Sequence, residues 1–186
     1  MLFLFTVPST YFVVATLVST SCMVGASYTQ GGLMPRRLRL RSIVFGLAGA
    51  ALLYGIFYEG AWMVSTYHPF GITSASETSI YSLISSPANP IYLQVVVLLL
   101  DSAGYESFFR GVLQRRLRPR FGIMGAPAVA ALDAVLHIAT LNPLWVCATF
   151  VTDLLWGVTY HYEGTQSSFT SHLVWDIAIF ILRPIR

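Results

Sequence analysis

Apolar residues dominate six stretches of this chain, and polar residues gather between them. The first stretch, residues 2–27, is long enough to span a bilayer and reads as an anchor. An arginine-rich loop at 35–42 separates it from a second span at 43–67. Residues 68–90 form a polar connection without Lys or Arg. Within it, Ser74-Ala75-Ser76-Glu77 has the form of a helix N-cap with its partner Glu three residues on. Ile80, Tyr81, Leu83 and Ile84 then space as one apolar face, which predicts a short helix lying on the membrane surface. A third span covers 91–113 and stops at Arg115-Arg116-Leu117-Arg118-Pro119-Arg120. Gly125-Ala126-Pro127 opens a fourth helix, because proline is tolerated in a first turn. Asn142-Pro143 closes it, and residues 144–162 and 168–182 make a fifth and a sixth. The expected fold is all-α: a polytopic transmembrane bundle of about six membrane helices. Residues 1–90 supply the N-terminal membrane helices and outer loop, and 91–186 the core, as one structural unit without internal repeats.

Composition supports the membrane reading. The 186 residues are 55% hydrophobic and 10% charged, where a soluble domain carries about 25% charged residues. All eleven basic residues are arginine. They cluster at 36–41 and 115–120, with Arg110, Arg183 and Arg186 apart, in the manner of cytoplasmic loops beside membrane spans. No basic face extends beyond those loops, which excludes a nucleic-acid surface. Cys22 and Cys147 each lie alone in apolar runs, so neither a disulfide framework nor a cysteine metal site is expected. Met1-Leu2-Phe3-Leu4 has no basic residue and does not resemble a cleaved signal peptide. With both arginine loops inside, six crossings leave the C-terminus outside, where Arg183 and Arg186 fit poorly with the positive-inside rule.

Against this background, charges within the spans stand out, since each costs roughly 3 kcal/mol to insert and marks a working site by default. Glu106 and Arg110 are one helical turn apart and can pair on one face. Asp133 precedes His137 by four residues, and His172 precedes Asp176 by four. Helical rise puts Glu106 about 14 Å in from Arg115, His137 about 15 Å in from Pro127, and His172 and Asp176 about 6 and 12 Å in from Ser168. Similar depths on three helices, counted from the arginine side, favour one shared site open toward the cytoplasm. Taken singly, each pair has a plain structural reading: a neutralised ion pair, a core histidine, an interhelical hydrogen bond. Together they suit water activation by a carboxylate and an imidazole, with a second histidine and acid steadying an oxyanion. Histidine and carboxylates would also suit zinc, although no H-E-x-x-H motif is present. Asp101, Asp153, Glu59, His68, His161 and Glu163 are read as non-catalytic, with Asp153 a candidate bond to a neighbouring helix. Trp62, Trp145 and Trp156 are assigned to interface belts and packing.

These residues resemble the CPBP family of intramembrane proteases, named for CAAX-processing and bacteriocin-processing enzymes and also called Abi proteins. The family pattern is Glu-Glu-x-x-x-Arg, then Phe-x-x-x-His, then His-x-x-x-Asn or Asp, each on its own membrane helix. Glu106 matches the second Glu and Arg110 the Arg; Phe109 and Gly111 match the common Phe-Arg-Gly ending. His137 matches the middle His, and His172 with Asp176 the last motif. The likeness covers roughly residues 92–182, and the N-terminal half matches only as generic membrane helices. The resemblance implies endopeptidase cleavage of a membrane-associated or lipidated peptide by carboxylate-activated water. It implies membrane lipid as surroundings and no required cofactor, with zinc compatible. It further implies an integral protein of the inner or cytoplasmic membrane, and the compact length of 186 residues suits a prokaryote.

Two positions depart from the pattern. The first Glu, which the family reading makes the water activator, is Tyr105, and the Phe of the second motif is Asp133. Tyrosine titrates near 10, at about the wrong end of the scale for a base at neutral pH. Three readings follow: Glu106 takes the role, Asp133 supplies the carboxylate, or the chain is a degenerate relative that binds without cutting. On the first, Glu106 is the acid/base, Arg110 orients it, His137 holds water, and His172 with Asp176 serves the oxyanion. A small transporter with protonatable groups is the remaining alternative, disfavoured by the missing repeat.

Overall fold

The computed structural model describes residues 9–33, 39–67, 76, 78, 80, 81, 90–183 and 185, and among them every regular element is helical. Helix α1 runs Ser9–Thr29 and α2 Leu40–Tyr67. Helix α3, Ile91–Phe108, passes through a π-helical turn at Phe109–Gln114 into α4, Arg115–Phe121. Helix α5 is Gly125–His137, α6 Pro143–Glu163 and α7 Thr165–Ile177, the last prolonged by a π-helical turn at Ala178–Leu182. Boundaries follow local chemistry. Gly122 and Gly164 break the chain at φ +55° and +81°, values that glycine adopts without steric cost. Asn142 does not close the fourth helix as its sequence suggests. Helix α5 ends at His137, a short 3₁₀ turn follows to Thr140, and Asn142 caps α6, its Oδ1 accepting from Leu144 and Trp145 N–H with Pro143 next in line. The short surface helix expected after Ser74 falls mostly outside the described residues, of which Ser76, Thr78, Ile80 and Tyr81 are helical.

The helices alternate in direction, and their contacts define two ends. At one, Arg115 reaches the Gly31 and Gln30 carbonyls beyond α1, Arg41 pairs with Glu163 at 2.7 Å, and Arg118 reaches the His161 carbonyl. At the other, Asn142 donates to the Ser76 carbonyl and Tyr81 to that of Ile185. Both described arginine groups thus share one end, and Arg183 follows the π-turn that closes α7 near the other.

Among the described residues, Leu40–Tyr67 and Ile91–Thr140 are the helical stretches long and apolar enough to cross a membrane, the second bent at Gly122. They are only 28% and 33% buried, unlike core helices of a water-soluble domain. Leu47, Leu52, Val96, Leu99 and Leu100 point outward, an apolar girdle that a bilayer covers and water does not. Among the described residues the fold is therefore all-helical, with two helical stretches of membrane-spanning length and apolarity where the sequence suggests about six.

The interior is built by α2, α6 and α7, where Leu53, Trp156, Trp175 and Ile179 form a core joined by Ala50 and Ile185. Helices α5 and α6 cross closely because position 157 is glycine. A Cβ there would stand 2.7 Å from that of Ala126. Gly111 likewise lets the π-turn lie against the Gly32 backbone, where a Cβ would overlap the carbonyl oxygen.

Candidate active site

The polar centre begins at the π-helical turn. A turn of this kind is wider than an α-turn and is found often at functional sites. Here it carries Arg110, whose side chain is fully buried. A buried guanidinium must satisfy its donors with protein groups. Its Nη2 donates to Asp153 Oδ1 at 2.6 Å and to the Asp153 carbonyl at 3.1 Å, and its Nη1 to Gln114 Oε1 at 3.1 Å. Nε lies 3.4 Å from Glu106 Oε2 one turn earlier. Gln114 in turn donates to the Gly157 carbonyl at 2.7 Å. Asp153 and Gly157 are one turn apart on α6, so Arg110 and Gln114 fasten the end of α3 to that helix along two successive turns. One buried cation sits between two buried carboxylates.

Glu106 then hands the network to α7. Its Oε1 lies 2.9 Å from His172 Nδ1, and His172 Nε2 lies 3.3 Å from Asp176 Oδ2 one turn on. Asp176 also receives the Ser102 hydroxyl at 3.4 Å, while that hydroxyl donates to the Leu98 carbonyl at 2.7 Å. The His172 ring stacks on Trp156, with centroids 3.6 Å apart and planes 13° from parallel. Two carboxylates and an indole face thus fix the imidazole.

The third part lies on α5. Asp133 is buried and His137 partly exposed. His137 Nδ1 lies 3.0 Å from the Asp133 carbonyl and 3.5 Å from Asp133 Oδ2. A carbonyl only accepts, so Nδ1 carries the hydrogen and Nε2 of the neutral ring is an acceptor. Tyr105 donates to Asp153 Oδ1 at 3.1 Å, stacks on Phe109 at 4.2 Å, and shares the cavity wall with Asp133.

A cavity of about 580 Å³ connects these groups. Asp101, Tyr105, Asp133, His137, His172 and Asp176 line it, and most of the remaining wall is apolar. Glu106 and Arg110 are not part of the wall; Glu106 faces the cavity only through His172. The lining reaches Ile80, Tyr81, Trp145 and Ile185, away from the arginine end, whereas the sequence reading placed the mouth on the arginine side. The reason is packing. The Gln114–Gly157 bond, the Arg110–Asp153 pair and the tight Gly157–Ala126 crossing fill the interior toward the arginines. Counting residues from Arg115 measures depth but does not show which end is plugged.

The structure brings Glu106, Arg110, His172 and Asp176 into one chain of contacts and places His137 and Asp133 on the same cavity. It also recruits residues that sequence reasoning set aside. Asp153, read as non-catalytic, is Arg110's shortest ionic partner. Trp156, assigned to packing, is the platform for His172. Asp101 lies in the cavity wall and accepts from Thr20 at 3.2 Å. Gln114 and Ser102 carried no motif signal, being uncharged and in apolar runs. Among the described residues, no three His, Cys, Asp or Glu side chains converge as ligands for one metal ion. Both His172 nitrogens face carboxylates and His137 Nδ1 faces a carbonyl, which leaves His137 Nε2 as the free lone pair. This donor set does not fit a zinc centre, which needs at least about three protein ligands.

Comparison with known protein families places residues 87–178 in the family described as type II CAAX prenyl endopeptidase, Rce1-like. This half of the chain contains every candidate site residue named above from Asp101 to Asp176. No curated protein and no solved structure matches the chain.

Proposed function

Because residues 87–178 make this chain a member of the Rce1-like family of type II CAAX prenyl endopeptidases, we propose that it is a membrane-embedded endopeptidase that hydrolyses a peptide bond of a membrane-associated or lipidated substrate with carboxylate-activated water. The observation that carries this reading is the Arg110–Glu106–His172–Asp176 chain of contacts ending on a cavity that also holds Asp133 and His137. The volume, about 580 Å³, suits a small ligand or a segment of one. Its apolar wall, including Ile56, Phe57, Leu136 and Phe180, suits a lipid chain or apolar side chain beside the scissile bond. By the positive-inside rule the arginine end faces the cytoplasm, in the cytoplasmic membrane of a prokaryote.

In this mechanism His137 holds water through its free Nε2. Arg110 fixes Glu106, and Glu106 fixes His172. The His172 Nε2–Asp176 contact, at 3.3 Å, is long for a charge-assisted hydrogen bond, so a developing oxyanion competes for it. Glu106 holds the His172 ring in position for that oxyanion.

A second reading rests on Tyr105. Its phenol stands where the family pattern has its first Glu and is tied to Asp153, as expected of a relative that binds peptides without cutting them. One experiment separates the two. The purified protein in detergent is offered prenylated and plain peptides, and products are read by mass spectrometry beside a Glu106→Gln variant of matched stability. Cleavage that disappears in the variant supports the peptidase. Binding preserved in both proteins, without products, supports the second reading.

A further inference from the structure

We propose that Asp133 is the carboxylate that takes the proton from the attacking water, with His137 as its partner; this rests on the peptidase reading above. Five acids surround the site, and their surroundings differ. Glu106 is outside the cavity wall, with one oxygen facing His172 and the other facing Arg110. Asp153 is also outside the wall and holds Arg110 and the Tyr105 hydroxyl. Asp176 faces His172 and Ser102. Asp101 accepts from Thr20 across the α1–α3 contact and lies on the cavity with His172 and Asp176, but its own helix carries no histidine. Among the described acids, Asp133 alone combines three properties. It lines the cavity, its Oδ2 is buried without a hydrogen-bond partner, and a cavity-lining histidine stands one turn away.

An unpartnered buried carboxylate oxygen is expensive to keep, by several kcal/mol in order of magnitude. A ligand that donates a hydrogen removes that cost, and water in the adjoining cavity is the simplest one. A water donating to Asp133 Oδ2 and to His137 Nε2 has its remaining lone pairs free for a carbonyl carbon. As the oxygen–carbon bond forms, one water proton passes to Asp133 Oδ2 and the carbonyl electron pair becomes the oxyanion. When the carbon–nitrogen bond breaks, that proton goes to the leaving amine. The carboxylate is restored and no other reactant is consumed.

Tyr105 provides the control. It lines the same cavity as Asp133, so a glutamate at 105 adds a carboxylate to the same space. The test compares wild type, Asp133→Asn, Tyr105→Glu and the double variant on one cleavable peptide, with kcat and KM measured separately. Asp133→Asn keeps the shape of the side chain, and thermal melting of each variant checks the fold. The expected result is a kcat lowered about 10²–10⁴-fold in Asp133→Asn with KM little changed, as for loss of a general base, and recovery of turnover in the double variant. Full kcat in Asp133→Asn overturns the inference and leaves the peptidase intact. Turnover in Tyr105→Glu but not in wild type overturns it too, because Asp133 is then insufficient. If none of the four proteins cleaves any peptide, the peptidase reading falls and takes this inference with it.

Discussion

Replacing Arg110 by methionine tests the centre of this structure most directly. Methionine fills much of the same space but removes the one charge between Glu106 and Asp153. Both carboxylates remain fully buried, and Asp153 loses its 2.6 Å partner. Breaking a buried ion pair by removing one member costs about 3–5 kcal/mol. That is a large part of the 5–15 kcal/mol, roughly, that holds a typical domain together. The cost belongs to the abandoned carboxylates, so the Arg110→Met/Asp153→Asn double variant should lose less than the sum of the single losses. Direct contact predicts a coupling of about 1–3 kcal/mol. Equilibrium unfolding in mixed micelles, followed by the fluorescence of the buried Trp156 and Trp175, measures each corner of the cycle. A single-variant loss under about 1 kcal/mol would refute the reasoning, as would strict additivity.

Two further outcomes are expected. Gly157→Val should push α5 away from α6, since a Cβ at 157 already stands 2.7 Å from Ala126 Cβ. Overpacking of this kind costs about 1–3 kcal/mol, read in the same unfolding assay. Incubation with a zinc chelator should leave the rate of peptide cleavage unchanged, because the described donors do not converge on one ion; inactivation reversed by added zinc would contradict this.

The sequence made the helices and the local pairs legible. Glu106 with Arg110, Asp133 with His137, and His172 with Asp176 are all four residues apart, and a regular helix puts such pairs on one face whatever surrounds it. Contacts between helices were harder to read. Asp153 is 43 residues from Arg110, and their meeting depends on helix rotation and on the π-helical turn, which spacing does not reveal. Asn142 misled for a different reason. An Asn-Pro pair can end one helix or begin the next, and the choice rests on its side chain accepting from Leu144 and Trp145. Trp156 looked like any membrane-interface tryptophan until the fold set it flat against His172.

The π-helical turn at Phe109–Gln114 also makes this stretch a ruler. Arg115 is pinned to the carbonyls of Gln30 and Gly31, and Glu106 is pinned to His172, so both ends of the interval are held by other helices. The wide turn sets the angular phase between the two anchors. Removing one residue from it would leave the arginines in place and swing everything before it by about 100°. Glu106 would then point out of register with α7, and Tyr105 would leave Asp153. Point substitutions in this segment alter single contacts, whereas a one-residue deletion would detune the whole assembly at once.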